Sequence, residues 1–286
     1  MKALSKTIAT AGLLLAGFTQ SAISAEPGAS LTQTVEARST EDRARDGARH
    51  PAQTLAFFQV QQGQTVMEAL PGGGWYTKIL ANYLGGEGTL YGVNYNDRMW
   101  PMFSFATEEW IAGRIASNSK FSSTVADFTD NGIRAKGYTF NTLPPEISGT
   151  VDRILFIRAL HNLNRFEATA GTRSQALSAI RGALKDDGLV GVVQHRLPES
   201  AADEGADGSR GYLKQSAVIA MFEGAGFKLV DSAEINANPK DQPGAEDIVW
   251  RLPPSLATSK EDPELKEKLL AIGESDRMTL LFRKAD

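Results

Sequence analysis

The sequence predicts an α/β protein whose sheet is mostly parallel and is covered by helices on both faces. Short apolar runs typical of buried strands, such as "VDRILFI" at 151–157 and "LVGVVQH" at 189–195, alternate with helical patterns. This alternation is typical of parallel sheets, because a crossover between parallel strands usually needs a helix. The last two predicted strands, 227–235 and 277–284, are joined by a loop without a clear helix, so we expect the final strand to run antiparallel.

The predicted elements follow in a regular order. Pro51 suits the first position of a helix, and the apolar cluster after it supports a helix there. A strand at 65–70 precedes a helix from Trp75 to Leu84. The later elements are a strand at 89–94, a helix at about 106–118, a less clear region containing "AKGYTF", the strand 151–157, a helix from about 167 to 184, the strand 189–195, a helix at about 212–224 and the two last strands.

The chain is predicted to form one domain over about 50–286, after a polar lead-in at 26–49. The lead-in has few large apolar residues and is expected to be flexible or weakly helical. A stretch at about 236–275 is rich in proline and charged turns. We interpret it as an insertion lying over one end of the sheet.

The first residues, "MKALSKTIATAGLLLAGFTQSAISA", predict a secretory signal peptide at 1–25. Lys2 and Lys6 form a basic start, an apolar run covers 8–18, and small residues close the segment before a predicted cleavage after Ala25. The apolar run is too short to span a bilayer comfortably. We therefore expect a periplasmic or secreted protein without a stable membrane span after cleavage; an uncleaved amphipathic terminus is the alternative.

Composition excludes several classes of protein. Without residues 1–25 the chain keeps 28 basic and 34 acidic side chains, a net charge of −6 with histidine neutral. An acidic surface argues against nucleic acid as a partner, because proteins that bind phosphate backbones usually carry a basic patch. The chain has no cysteine, which excludes disulfides, thiolate metal sites and a cysteine nucleophile.

A glycine turn, "EALPGGGWYT" at 68–77, connects the first strand to its helix. Strand, glycine turn and helix in this order open the nucleotide site of a Rossmann-like sheet. Thr77 occupies the third small position of a dinucleotide fingerprint, so that match is incomplete. A triphosphate-binding loop carries a lysine directly after its last glycine, whereas the first lysine after this turn is Lys78. A plain helix-entry turn is the remaining alternative.

The same stretch resembles the first motif of class I S-adenosylmethionine (SAM)-dependent methyltransferases. In that motif an acidic residue ends the first strand and glycines follow it, as Glu68, Gly72 and Gly74 do here, whereas Leu70 replaces the first glycine. The resemblance implies that SAM is the cofactor and that Glu68, Gly72, Gly73 and Gly74 bind it. Glycines allow the backbone to approach the amino-acid end of SAM closely.

A second segment, 151–197, resembles the region from the fourth to the fifth strand of small-molecule methyltransferases. That region reads as an aspartate, an apolar strand, "LHxL", a helix, "LKPGG" and another strand; the matching residues here are Asp152, Leu160, His161, Leu163, Leu184, Lys185 and Gly188. The resemblance implies a Rossmann-like sheet of seven strands from about residue 50 to the end. Details such as "RALHNLNRFEA" also resemble exported bacterial proteins known only as predicted methyltransferases.

Two further positions for SAM follow from the resemblance. The end of the second strand usually offers an acid to the ribose hydroxyls, and this sequence offers Asn94, with Asp97 nearby. An amide can still hydrogen-bond a diol but loses the charge-assisted part, roughly 1 kcal/mol. The adenine contact after the third strand is either Asp127 or Asn141.

Polar residues after the fourth and fifth strands are the candidates for chemistry, because ligands bind beyond the carboxyl ends of such strands. In related plant-type O-methyltransferases the histidine at the position of His161 is the general base, which implies that role here; a structural histidine is the alternative. Asn162, His195 and Arg196 are predicted to bind substrate, and Tyr212 is placed beside them by position. The three separated histidines of the chain lack a clear carboxylate partner, so we expect no metal.

The sequence therefore predicts an exported SAM-dependent methyltransferase that acts on a small molecule. The alternative is a methyltransferase fold that only binds ligands or partners, because SAM is made in the cytoplasm and the chain carries an export signal. A nicotinamide oxidoreductase ranks third, since Thr77 and Asn94 stand where its motif needs a small residue and an acid.

Overall fold

A computed structural model describes residues 26–286, so the predicted signal peptide lies outside the described residues. Eight strands are present in this part of the chain. They are β1 Thr65–Ala69, β2 Thr89–Asn94, β3 Arg134–Thr139, β4 Val151–Ile157, β5 Leu184–Leu197, β6 Leu213–Lys214, β7 Phe227–Ala233 and β8 Arg277–Lys284.

Eleven α-helices accompany these strands in the same residues. They are α1 Ala29–Glu36, α2 Thr40–Arg43, α3 Asp46–Arg49, α4 Pro51–Phe57, α5 Trp75–Leu84, α6 Glu108–Ala126, α7 Leu160–Arg165, α8 Glu167–Ala170, α9 Thr172–Ala183, α10 Gln215–Gly224 and α11 Pro263–Ile272. None of them is both long and apolar enough to cross a membrane.

The main sheet has the strand order β3-β2-β1-β4-β5-β8-β7, and the short β6 pairs with the end of β5. All neighbours from β3 to β5 are parallel, whereas β8 runs antiparallel to both β5 and β7. The predicted parallel sheet with an antiparallel last strand is therefore confirmed. β7 and β8 can pair antiparallel because the segment between them starts and ends at the same edge of the sheet.

Both faces of the sheet are covered, as the continuous apolar runs of the central strands require. Along β4, Ile154 and Phe156 pack into one core under α9 and α10, and Leu155 between them packs into a second core under α4 and α5. The close approach of α4 depends on Gly191 in β5, where an added Cβ would lie 2.4 Å from the ring of Phe58.

The structure differs from the predicted helices at three places. The connection between the last two strands, predicted to lack a clear helix, contains α11, which Pro263 starts and the Asp262 side chain caps. The predicted helix at 167–184 is divided into α8 and α9 because Gly171 takes a left-handed conformation, with φ of 61°. The predicted helix at 106–118 continues to Ala126, and the unclear region after it forms the edge strand β3.

The lead-in is helical and docked. Leu31 and Val35 of α1 are buried in the core beside α4 and α5. Trp75 at the start of α5 donates its indole N–H to the Asp42 carbonyl oxygen over 2.9 Å, and Lys78 pairs with the Asp42 carboxylate over 2.9 Å. These contacts place α2 and α3 beside the glycine turn, which a polar composition did not indicate.

Candidate functional site

A cavity of about 860 Å³ opens at the carboxyl ends of β1, β2, β4 and β5. This edge is where parallel sheets of this kind bind ligands, and the volume is in the range of small-molecule sites. The glycine turn after β1 forms one wall, and the lead-in forms another through Arg45 and Arg49. The insertion closes part of the opening with Ile248, Trp250, Ser255 and Ala257.

The glycine turn presents open backbone to the cavity. Gly72 has φ of 60°, and an added Cβ there would meet only the Leu70 carbonyl oxygen at 3.8 Å. An added Cβ at Gly73 would meet nothing within 4 Å. Leu70, which stands in place of a glycine, also has a left-handed φ of 54°, a conformation that costs a branched residue about 1 kcal/mol or more. The turn thus keeps the conformation of a glycine even where the glycine is missing.

Glu68 is the only acidic side chain among the described residues that line the cavity. Its side chain is buried, and Thr77 of α5 donates its hydroxyl to Oε2 over 2.6 Å. Burial raises the pKa of Glu68 to about 7, and the Thr77 hydrogen bond opposes that rise. Thr77 thus fixes the position of the carboxyl group. A cationic ligand group next to Glu68 would favour its charged form.

His161 is the second residue of α7 and lies buried in the wall. The side-chain amide N–H of Gln194 in β5 donates to the Gly211 carbonyl oxygen over 2.9 Å, so the Gln194 Oε1 is free to accept. The His161 backbone N–H donates to this Oε1, and the His161 Nδ1 lies 3.3 Å from it. This arrangement places the imidazole proton on Nδ1 and leaves Nε2 with a lone pair. Burial lowers the pKa of His161 to about 4, so the ring is neutral at physiological pH.

His195 lies beside His161, with 5.6 Å between the two ring centroids. Its Nδ1 is 2.6 Å from the Ser275 hydroxyl oxygen. Burial, followed by the proximity of His161 and Arg158, lowers the pKa of His195 well below its usual value. Two neutral imidazoles therefore share this side of the cavity.

Arginines dominate the charge of the cavity, because five of them line it against the single carboxyl of Glu68. Arg45 and Arg49 both contact the Glu274 carboxylate, and the buried Arg277 contacts it from the other side over 3.1 Å. Arg158, directly after β4, lines the cavity close to this group. The remaining two, at positions 114 and 165, line the cavity with their guanidiniums 5.0 Å from the ring centroids of Trp110 and Phe166.

Aromatic side chains form the wall between β2 and α6. Trp100 stacks on Phe103 with centroids 6.1 Å apart and meets Trp110 edge to face at 5.5 Å. Phe105 extends this wall to the opening and is 64% exposed. The indole N–H of Trp100 is buried without a hydrogen-bond partner among the described residues. The wall therefore suits a planar or apolar ligand body that offers an acceptor.

Six of the predicted site residues line the cavity, and their placement brings together residues from β1, α7 and β5. They are Glu68, Gly72, Gly73, His161, Asn162 and His195. Gly74 lies just behind the turn, where an added Cβ would touch the Phe128 ring at 3.0 Å.

Asn94 and Asn141, predicted to bind the cofactor, do not line the cavity. The Asn94 amide donates to the Asn118 side chain over 2.6 Å and to Ser117 over 3.2 Å, which turns it toward α6. Asn141 instead accepts the hydroxyl proton of Thr139 over 2.7 Å. Tyr95, the next residue after Asn94, takes the place at the cavity wall.

Arg196 and Tyr212, predicted to bind substrate, also lie outside the cavity. Arg196 is engaged by two carboxylates, with Asp276 at 2.8 Å and Glu234 at 2.7 Å. The Tyr212 hydroxyl donates to the buried Asp241 carboxylate over 3.1 Å. Tyr212 therefore contacts the insertion through Asp241, and Arg196 pairs with the residues that flank it, Glu234 and Asp276.

Sequence reasoning did not identify Arg158, the lead-in arginines or Trp250 as parts of the site. Arg158 directly follows β4 in "FIRALH", so its position at a strand end was an available signal. The lead-in arginines and Trp250 offered no local signal, because tertiary docking alone brings them to the cavity.

No protein-family model matches this sequence, and no curated protein matches it. Solved structures do resemble it. A chain of the complex that contains the Haloferax volcanii Trm112 methyltransferase activator has a TM-score of 0.50 and 16% identity, over 90% of this chain and 98% of that chain. The [4+2]-cyclase SpnF has a TM-score of 0.50 and 13% identity, over 85% and 80% of the two chains.

A SAM-dependent methyltransferase from Aquifex aeolicus is similar at a TM-score of 0.45 and 15% identity, over 72% of this chain and 93% of that chain. At such low identity the likenesses concern the fold alone. The chain shares its Rossmann-like fold, a mostly parallel sheet with an antiparallel last strand, with the chain of the Haloferax volcanii complex.

Proposed function

We propose that this protein binds SAM and transfers its methyl group to a small molecule outside the cytoplasm. The observation that carries the proposal is the buried Glu68 carboxyl beside the open glycine turn, in a cavity of about 860 Å³. The fold supports it, because the chain shares its Rossmann-like architecture with the chain of the complex that contains the Haloferax volcanii Trm112 methyltransferase activator.

The residues of the cavity fit the amino-acid end of SAM. Glu68 would bind the ammonium group, and the backbone at Gly72 and Gly73 leaves room for close approach. Arg49, whose guanidinium lies 4.6 Å from the Trp75 ring at the start of α5, would bind the carboxylate. When bound, SAM supplies a methyl group on a sulfonium, which is open to direct displacement.

His161 is the group we assign as general base. Its Nε2 carries a lone pair at neutral pH, because Gln194 fixes the proton on Nδ1. During transfer it would take the proton of the acceptor hydroxyl or amine as the bond to the methyl carbon forms. A conjugate acid with a pKa of about 4 makes it a weak base, so it suits an acceptor that is itself fairly acidic.

Titration of the protein with SAM and with its demethylated product, S-adenosylhomocysteine, tests the cofactor assignment. We expect micromolar binding by calorimetry and at least a tenfold weaker affinity in Gly72→Asp, because the new carboxylate would fill the turn and repel the carboxylate of SAM. Gly149→Asp is the matched control, since Gly149 also has a left-handed φ of 64° and open surroundings. The absence of binding by the parent protein at millimolar ligand would refute the proposal.

His161→Ala is expected to lower the rate of methyl transfer about a hundredfold, which is a usual loss for a general base. Because the pKa of His161 is about 4, the rate of the parent should show no histidine ionisation between about pH 5 and pH 8. The control is His50→Asn, which changes a histidine outside the cavity and keeps a residue that tolerates its φ of 42°. An unchanged rate in His161→Ala would remove the base role.

Export is the part of the proposal that rests on residues 1–25. Their basic start, apolar run and small residues have the pattern of a cleaved signal peptide. The mass of the protein recovered from the periplasm of an expressing bacterium measures this directly. Cleavage after Ala25 leaves Glu26 as the first residue, whereas an intact chain in the cytoplasm would contradict export.

A second candidate function is ligand binding or a reaction other than methyl transfer on the same fold. Asn94 is turned toward α6, and neither it nor Asp97 lines the cavity, so among the described residues no acid after β2 is placed to bind the ribose. SpnF, described as a [4+2]-cyclase, shares the fold at the same TM-score as the complex with the methyltransferase activator. Ligand binding without turnover of SAM would favour this candidate.

A further inference from the structure

We propose that the acceptor bound in this cavity carries an anionic group, a carboxylate or a phosphate, and that Arg158 binds that group. The identity of this ligand as the methyl acceptor rests on the proposed function, because the ligand would fill the part of the cavity that SAM leaves open. The anion site itself is argued from the arginines alone.

Within residues 26–286, Arg158 is a cation without a side-chain partner. No hydrogen bond or ion pair to its guanidinium is present among the described residues, although nearly all of its charged neighbours are engaged. Its backbone N–H donates to the Val193 carbonyl oxygen over 2.7 Å, and its φ is 60°. The backbone is therefore fixed in an unfavourable conformation that directs this residue to the cavity wall.

The surroundings of Arg158 are already positive. Arg45, Arg49 and Arg277 share the single carboxylate of Glu274. Burial, followed by the charges of Arg49 and Arg277, lowers the pKa of Arg158 to about 9. A fourth guanidinium in this group costs stability, and a bound anion would offset that cost.

SAM alone does not neutralise this cavity. It carries a carboxylate, an ammonium and a sulfonium group, so it is a net cation. Its ammonium matches Glu68 and its carboxylate matches Arg49, which leaves Arg158 still without an anion. A second ligand with a negative group is the charge complement that remains.

The position of Arg158 places that anion next to the proposed base. Arg158 precedes His161 by three residues at the end of β4, and both side chains line the same cavity with His195. The aromatic wall formed by Trp100, Phe103 and Trp110 faces the same cavity. Together these features favour an acceptor with a planar or apolar body and one anionic end.

Benzoate is a suitable probe, because it combines a carboxylate with a ring, and benzamide is its neutral counterpart. We expect the mature protein to bind benzoate and to bind benzamide at least tenfold more weakly. Arg158→Gln should weaken benzoate binding by about tenfold to a hundredfold, and Arg158→Lys by less, since it keeps the charge but loses the paired N–H donors. Arg98→Gln, at an exposed position outside the cavity, is the matched control.

A second measurement reads the neighbouring histidine. An anion at Arg158 should raise the pKa of His161, measured by NMR of the imidazole with and without benzoate, and the rise should vanish in Arg158→Gln. A purely structural arginine would not produce this shift. Phenyl phosphate in place of benzoate distinguishes a phosphate site from a carboxylate site. A cooperative thermal unfolding transition confirms that each variant is folded. If Arg158→Gln does not fold, Arg158→Lys still provides the test.

Repeating the titration with saturating S-adenosylhomocysteine separates the two possible sources of the anion. Unchanged benzoate affinity assigns Arg158 to the acceptor, whereas competition would assign it to the carboxylate of SAM and overturn the inference. If neither benzoate nor phenyl phosphate binds, the inference fails while the cofactor proposal stands. If benzoate binds through Arg158 but S-adenosylhomocysteine does not bind, the proposed function fails and the anion site stands.

Discussion

Glu68→Gln is expected to weaken SAM binding about a hundredfold and, at the same time, to stabilise the free protein at neutral pH. Glutamine has the size of glutamate and can still accept the Thr77 hydroxyl, so the fold of the turn is kept. It lacks the negative charge that would bind the ammonium of SAM, a loss of roughly 2–3 kcal/mol that corresponds to about a hundredfold in affinity.

The gain in stability follows from the raised pKa of Glu68. The unfolded chain releases this proton near pH 4.5, and the folded protein holds it until about pH 7. As pH rises through this window the unfolded state ionises first, so folding becomes less favourable, and the penalty is complete above pH 7. The order of magnitude is about 3 kcal/mol for the ionised carboxyl. Removal of the charge therefore stabilises the protein mainly at high pH.

Denaturant unfolding of the two proteins at about pH 5 and about pH 8 measures this effect. The free energies of unfolding should differ little at the lower pH and should favour Glu68→Gln by about 1–3 kcal/mol at the higher pH. Glu146→Gln, an exposed carboxylate, is the control and should have little effect at either pH. An equal difference at both pH values would show that Glu68 does not titrate as described.

Glu274→Gln is expected to cause the largest loss of stability of any single change in the site, about 3–5 kcal/mol. The Glu274 carboxylate is the common partner of Arg45, Arg49 and Arg277, two of which are almost fully buried. Without it the buried guanidiniums repel one another and Arg158, and no other carboxylate contacts them within the described residues. The lead-in should therefore detach from the cavity.

The contribution of Glu274 also depends on pH. Burial raises its pKa, but the charges of Arg49, Arg277 and Arg45 outweigh burial and hold the pKa below 4.5. The stability it provides is therefore fully present above pH 4.5 and is lost as pH falls through the lower folded value. Arginine stays charged throughout this range.

Urea unfolding and limited proteolysis of the lead-in test this prediction. Glu264→Gln is the matched control, because Glu264 forms an exposed ion pair with Lys268 that should contribute less than about 1 kcal/mol. We expect faster cleavage within α1 to α3 only in Glu274→Gln. Equal stability of the two variants would show that the arginines do not depend on Glu274.

The regular elements were accessible from sequence, since local patterns specify them. The bounds of α5, β2 and β4 match the predicted ones because each is a short apolar run or helical pattern bounded by glycine or a polar turn. The divided helix at Gly171 was missed, since a glycine in a helical pattern can either be tolerated or end the helix. Here Gly171 is left-handed and donates its N–H to the Glu167 carbonyl oxygen, which ends α8.

By itself the sequence determined the parallel sheet, its antiparallel last strand and the glycine turn with Glu68, because these depend on residues close together in the chain. Its export, cofactor and acceptor assignments stay predictions. Only the tertiary structure decided the charge of the cavity. Arg45 and Glu274 meet across 229 positions, and Asn94 turns away because α6 offers it partners. Such contacts depend on packing between distant segments, which local periodicity does not encode.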